Sequence, residues 1–234
     1  MKILGKLRME ETPLSPYGKI AQVIYIKGRP LFPISWLQKQ DYCEYQIYLE
    51  NIKGIKAKPT KAMSAGREEH QQLYDRFAEK AVPATVEQML AESRKASIYS
   101  REFRVVDIEH GIHGFIDEVW LTPDSFVVID DKPGTRVYLS SIRQVLGYSL
   151  AFKTVTPRDD SRQVIAALRE RGTENICWQA PFNQAAEEEI TAAVDHIHTL
   201  ISGRVPFKPT DNPNKCKGCR LNGVCEHKHL PPTE

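Results

Sequence analysis

The chain has 234 residues, 32 basic and 30 acidic side chains and a formal net charge of +2. That length can bury one full core with room for a small appendage, and the balanced charge excludes a domain whose overall charge alone draws it to polyanions, though not a local basic groove. No apolar run approaches the roughly 20 residues that span a membrane, and Met1–Glu10 lacks the apolar stretch of a secretory signal, so the cytosol is the expected compartment. There, five cysteines favour metal or cluster binding over disulfides.

Residues 1–33 place Pro13, Pro16, Pro30 and Pro33 around the apolar run from Ile20 to Ile26, which reads as an irregular arm with one short strand. Ile34–Ser35 opens a helix to about Asn51, with Ser35 as its cap and Cys43 inside it. A basic linker from Lys53 leads to a second helix, Lys61 to Lys80. On it His70, Leu73, Tyr74 and Phe77 repeat at helical spacing, which puts His70 on the buried stripe, and Gly66 one turn earlier allows close approach of another backbone. A histidine on an apolar face is, by itself, more often a satisfied core residue than a ligand. A third helix is expected from Ala84 to Ser97.

Phe103 to Leu121 reads as a strand with a break near Gly111, and Ser125 to Lys132 as its partner across the turn Thr122-Pro123-Asp124. Phe126-Val127-Val128-Ile129 is continuously apolar, as in a strand covered on both faces. Asp130, Asp131 and Lys132 then follow with no reason in packing. Alternation puts Asp130 and Lys132 on one face and Asp131 on the other. With Asp117 on the paired strand, two carboxylates and an ammonium converge at the sheet edge and suit a hard divalent cation and a nucleophilic water.

Ser140 or Ser141 can cap a helix to Lys153, on which Gln144 and Tyr148 share a face; it is either an ordinary amphipathic helix or one that meets substrate beside the carboxylates. Arg136, Arg143, Lys153, Arg158 and Arg162 around it form a candidate phosphate track or else a solvated face. Strands are expected at Gln163–Leu168 and Asn175–Ala180, with Cys177 in the core. Asn183 caps a helix to Ser202 with Ile190, Val194, Ile197 and Ile201 inward and His196 and His198 solvated.

The tail holds Cys216-x-x-Cys219-x₅-Cys225. Cys216 and Cys219 can clasp one metal centre, and Cys43 is the natural fourth ligand, with His227 and His229 in reserve. A four-cysteine zinc site fits this set, while the lone upstream ligand favours an [4Fe–4S] cluster.

In order, Cys43, Gly66-x-x-x-His70, Gly114-x-x-Asp117, Asp130-x-Lys132, Gln144-x-x-x-Tyr148 and the tail cysteines resemble the RecB-like branch of the PD-(D/E)xK nucleases in its iron–sulfur form, above all the CRISPR-associated RecB-like exonucleases. The resemblance spans Ile34 to Cys225. It implies an α/β restriction-endonuclease-like core, a mixed central sheet flanked by helices, over residues 34–205, with an arm at 1–33 and a cysteine-rich, cluster-binding tail at 206–234 packed on the first helix. It implies Mg²⁺ or Mn²⁺ on His70, Asp117, Asp130 and the Asp131 backbone carbonyl, and Lys132 orienting the attacking water. It further implies Gln144 and Tyr148 on the DNA strand, and a structural [4Fe–4S] cluster on Cys43, Cys216, Cys219 and Cys225. The implied activity is degradation of single-stranded DNA, often from the 5′ end, in spacer acquisition beside CRISPR integrase proteins. An iron–sulfur nuclease of repair or phage biology, a non-catalytic DNA-binding module and a zinc-stabilised interaction protein are the competing readings. Two features depart from the pattern: Pro133 directly after Lys132, and the arm.

Overall fold

A computed structural model describes residues 15–229. Its centre is a mixed sheet of strands β1 (Ile24–Ile26), β2 (Arg29–Pro33), β3 (Ile98–Asp107), β4 (Ile112–Leu121), β5 (Ser125–Lys132), β6 (Gln163–Glu170) and β7 (Ile176–Pro181). The order is β1-β2-β4-β5-β6-β7, with β3 along the other edge of β4. β2 runs parallel to β4 and β5 parallel to β6; the remaining pairs are antiparallel.

β4 is the pivot. One of its edges is taken by β3 from Ile112 to Leu121, with a single gap in the pairing at Asp117. The other is divided: β2 pairs with Ile112 and His113, and β5 with Glu118 to Leu121. Between those two partners lies an unladdered stretch of β4 that contains Gly114 and Asp117. The expected break near Gly111 is therefore a chain reversal. Gly111 sits at φ +70, a conformation cheap only for glycine, and β3 and β4 are two strands of one hairpin.

The helices are α1 (Trp36–Cys43), the short turn α2 (Tyr45–Ile47), α3 (Lys61–Ala78), α4 (Val86–Glu92), α5 (Leu139–Lys153), α6 (Gln184–Ile201) and α7 (Pro213–Lys217). A π-helical turn at Tyr48–Ile52 follows α2, so the single helix expected to Asn51 is a run of three pieces. Ser35 is already in helical φ/ψ and caps nothing. α5, the crossover between parallel β5 and β6, is buried without a break from Gln144 to Phe152, because α1 and α6 cover the side the sheet does not. A methyl group on Gly147 would overlap Leu37 Cδ1, so glycine sets the approach of α1 to α5. Ser140 and Ser141 lie inside α5, whose first turn carries no side-chain cap.

α6 matches its expected stripe: Asn183 accepts from Ala186 N–H, and Ile190, Val194, Ile197 and Ile201 are buried. His198 is not solvated as expected. Its Nε2–H donates to the His110 carbonyl at 2.8 Å and its ring meets Phe32 edge-on, while His196 stays exposed against Glu44. Cys177 is not core either: it lies half-buried on β7, the last strand of the sheet.

Two further expectations shift. α4, closed by a Thr85–Gln88 capping box, ends at Glu92, and β3 begins at Ile98, five residues before the expected Phe103. The described part of the arm supplies both β1 and β2, with Leu31 and Phe32 fully buried, and is therefore part of the sheet. The rest of the arm and the last residues of the tail lie outside the described residues. No helix among the described residues is long and apolar enough to cross a membrane.

Candidate active site

Where β5 leaves β4, the ladder gives way to side-chain chemistry. Glu118 pairs with Ile129, so Asp117 falls opposite Asp130 in the same register. The Asp131 N–H donates to Asp117 Oδ2 at 2.7 Å instead of to a backbone carbonyl. Lys132 Nζ lies 2.6 Å from Asp130 Oδ2, off the direction of a hydrogen bond, and donates to Gln144 Oε1 at 3.0 Å. Asp130 Oδ2 is thus buried beside a charge with no donor of its own. Gln144 Nε2 continues the chain to the Tyr148 hydroxyl at 3.3 Å. Pro133 does not disturb this end: β5 runs through Lys132, whose carbonyl accepts from Arg171 N–H at 2.9 Å.

The opposite face of the same strands carries a buried ion-pair lattice that the sequence reading did not include. Arg169 on β6 donates from Nε to Asp131 Oδ1 at 2.8 Å and from Nη1 to Glu118 Oε1 at 3.0 Å. Arg101 on β3 bonds Glu118 and reaches Asp131 Oδ2 at 2.8 Å. Burial alone would raise the Asp131 and Glu118 carboxyls, but the hydrogen bonds and charge of Arg169, with Arg101 behind them, hold both below their ordinary values. The lattice clamps β3 to β6 directly under Asp117 and Asp130.

α3 brings His70 to the site. Thr60 caps the helix by accepting from Met63 N–H. His70 Nδ1 is 3.6 Å from Asp117 Oδ1 and 4.0 Å from Glu102 Oε1. The expected apolar stripe is only half-buried, and Tyr74 is exposed, because α3 meets little besides β3. Its attachment is polar. Arg171, on the β6–β7 turn, pairs with Glu69 at 3.2 Å and donates to the Asp131 carbonyl at 3.2 Å. Gly66 makes room for that guanidinium, not for a backbone: a Cβ there would stand 2.9 Å from Arg171 Nη1. The Asp131 carbonyl, expected as a metal ligand, already accepts this bond with one of its two lone pairs.

The electrostatics are those of a cation site. Burial, and then the neighbouring Asp130, push the Asp117 carboxyl well above its ordinary range. Burial, and then Arg171, push the His70 imidazole down, which favours the neutral, ligating form. His70, Glu102 and Asp117 each offer a donor atom, all within 4.8 Å of one another, and oxygen with imidazole suits Mn²⁺ or Mg²⁺. These residues fit a divalent ion.

Three members of the expected basic track are already paired, while Arg136 and Arg158 stay exposed. Arg143 pairs with Asp41 and Glu189, Lys153 with Glu187, and Arg162 is buried against Asp160 and the Phe126 ring.

Cys43, Cys216, Cys219 and Cys225 line one cavity. Thr210 N–H points at Cys43 Sγ, His229 N–H at Cys216 Sγ and Leu221 N–H at Cys219 Sγ, each at 3.4 Å, and Gln46 Nε2 reaches Cys219 Sγ at 3.2 Å. The tail is held on α1 by Tyr42 to the Lys215 carbonyl and by Lys215 Nζ to the Asp41 carbonyl. Among the described residues, no three of these sulfurs fall within 4.8 Å of one another. A tetrahedral zinc with bonds of about 2.3 Å would space its sulfurs by roughly 3.8 Å. The His227 ring lies against Tyr45 and pairs with Glu226.

A mixed sheet split beside a carboxylate pair, with a lysine two residues on, defines a nuclease-type α/β core. Residues 37–226 match the model of the PD-(D/E)XK nuclease superfamily, and the chain belongs to that family. No curated protein matches it. Among solved structures it is similar to SSO0001, at 13% identity and a TM-score of 0.42, over 88% of this chain and 91% of that one. It is also similar to a proposed exonuclease from Eubacterium rectale, at 12% identity and a TM-score of 0.45, over 87% of this chain and 90% of that one. At these values neither likeness bears on activity.

Proposed function

We propose that the chain is a divalent-metal-dependent deoxyribonuclease that degrades single-stranded DNA from an end, with a structural [4Fe–4S] cluster, and that it serves spacer acquisition with CRISPR integrase proteins. The observation that carries the nuclease reading is the grouping of His70, Glu102 and Asp117 within 4.8 Å of one another at the β4–β5 split, with Asp130 opposite Asp117 and Lys132 against Asp130. The ordered set of motifs from Cys43 to Cys225 supports the finer reading.

His70, Asp117 and Asp130 would hold Mg²⁺ or Mn²⁺, with the free lone pair of the Asp131 carbonyl. Bound there, the ion supplies a water of lowered pKa and neutralises charge on the scissile phosphate. Lys132, held by Gln144 at 3.0 Å, orients the attacking water and stabilises the charge that develops on phosphate oxygens. Tyr148 braces Gln144 from the buried side, and its hydroxyl is kept protonated by burial and then by Asp130 and Asp117. On this reading the pair, each 7% exposed, would offer uncharged polar groups to a DNA strand. Cys43, Cys216, Cys219 and Cys225 would hold the cluster, and the N–H groups aimed at three of the sulfurs support thiolate ligands there.

A time course on end-labelled single-stranded DNA with Mn²⁺ tests the reading. Wild type shortens the label progressively; Lys132→Ala does not, and keeps its brown colour. Intact DNA with metal-loaded wild type refutes the nuclease, and iron-free, zinc-loaded protein refutes the cluster.

A further inference from the structure

The basic linker before α3 has no part in the site as built so far. From Asn51 to Gly66 the chain carries no acidic residue, while Lys53, Lys56, Lys58 and Lys61 follow one another and Arg67 comes next. In a chain whose 32 basic and 30 acidic side chains nearly balance, a like-charged run of this length calls for an anion from outside it. All five are exposed, and none pairs with a carboxylate among the described residues. The two guanidiniums that meet the same stretch, Arg171 at Gly66 and Arg220 at Met63, are taken by Glu69 and Glu50.

The fold turns this strip outward and leads it to His70. Gly54, at φ +70, takes the chain out of the π-helical turn. Burial then alternates: Ile55 and Ala57 pack half-buried against the core, and Lys56 and Lys58 are exposed. Thr60 caps α3, and Lys61 takes the first helical position in a first turn without an acidic side chain. A cation there opposes the helix dipole, which favours an anion at that end. Arg67 lies one turn before His70, on the face that His70 shares with Tyr74 and Phe77. Past His70, Tyr74 and Phe77 line an open cavity of about 940 Å³ together with Tyr99 of β3. Tyr74 and Tyr99 are 40% and 55% exposed, so their rings are open to a planar partner.

Resting on the nuclease reading above, we propose that α3 and its lead-in are the guide for the substrate strand. The phosphodiester backbone of a single-stranded nucleic acid follows Lys53, Lys56, Lys58, Lys61 and Arg67 up to His70, and bases beyond it stack on Tyr74 and Tyr99. An acidic peptide would use the cations alone; a strand with phosphates and flat bases uses the cations and the rings.

The test is binding of a fluorescent oligothymidylate to the full, cluster-loaded chain without divalent metal, read by anisotropy from low to high salt. For single strands the logarithm of affinity falls with that of salt by about 0.7 per phosphate neutralised. Lys56→Gln/Lys58→Gln/Lys61→Gln/Arg67→Gln should therefore flatten the slope by about 2 to 3 and raise Kd at least tenfold at physiological salt. Lys56→Arg/Lys58→Arg/Lys61→Arg should keep the wild-type slope. Tyr74→Ala/Tyr99→Ala should raise Kd by about tenfold at an unchanged slope, the mark of lost stacking. Lys19→Gln/Lys27→Gln/Arg136→Gln/Arg158→Gln, which removes as many exposed cations elsewhere, should bind as wild type does. The guide is overturned if the strip variant keeps the wild-type slope, if the second set of four flattens it equally, or if the tyrosine variant binds unchanged. Oligoglutamate of equal charge that displaces the labelled strand as well as unlabelled oligothymidylate does would also overturn it. Because no Mn²⁺ is present, these results leave the nuclease reading standing. Wild type that binds the strand and does not cleave it with Mn²⁺ overturns that reading and not the guide.

Discussion

Replacing Arg169 by alanine removes one guanidinium from between two buried carboxylates. Arg169 makes hydrogen bonds of 2.8 and 3.2 Å to Asp131 and two of 3.0 Å to Glu118, and its side chain is 6% exposed. Breaking a buried pair by removing one partner costs about 3–5 kcal/mol, because the remaining charge is stranded. Arg101 still reaches both carboxylates, which places the expectation near 3 kcal/mol, the lower end of that range. For a chain of this size that is a fall in Tm of roughly 6–12 °C. The sign with pH follows from the carboxyls. Both are held below their ordinary values, so the lattice contributes its full stability above about pH 4 and loses it as pH falls through the folded values. The gap between wild type and Arg169→Ala should therefore narrow from pH 6 towards pH 3. Paired denaturant melts at fixed cluster loading measure it. A cost below about 1 kcal/mol, typical of an exposed pair, or a gap constant down to pH 3, refutes the buried-lattice account.

The site and the tail yield further outcomes. Asp117→Asn should stabilise the metal-free protein at neutral pH, since it removes a buried like charge beside Asp130, and should abolish the rise in Tm on adding Mn²⁺. Because the folded Asp117 carboxyl is raised, the metal-free wild type should lose stability as pH climbs from about 4 through that folded value, a slope absent in Asp117→Asn. Gly147→Ala should cost about 1–3 kcal/mol by overpacking against Leu37, read in the same melts. Arg171→Glu should weaken Mn²⁺ binding by loosening α3, and Glu69→Arg added to it should restore part of the affinity; no rescue would exclude the pair as the attachment. Cys43→Ser should lose the visible absorbance of the proposed cluster and free the tail to proteolysis near Lys215, while Cys177→Ser should change neither.

What was legible in the chain was what local pattern can carry. The apolar run Phe126–Ile129 ending in Asp130, Asp131 and Lys132 announced a strand whose end is chemical, and β5 occupies that span. The 3.6-residue rhythm around His70 located α3, and the cysteine spacing located the tail. What was hidden depends on partners far along the chain. Glu102 escaped because β3 starts at Ile98 and Gly111 is a reversal; with that hairpin drawn, its register alone puts Glu102 beside Asp117. Arg169 and Arg171 sit on and just after β6, and only the parallel pairing of β5 with β6 brings them to Asp131. The same blindness overstated the basic track: nothing near Arg143 or Lys153 in sequence reveals that Asp41 and Glu187 already neutralise them.

On the nuclease reading, a helix imidazole and carboxylates from adjacent strands grip a divalent ion at the β4–β5 split. Anomalous scattering at the manganese edge from crystals grown with Mn²⁺ tests it directly. A peak is expected within about 2.3 Å of Asp117 and of His70 or Asp130; manganese elsewhere in the map and none beside Asp117 would overturn the cation site.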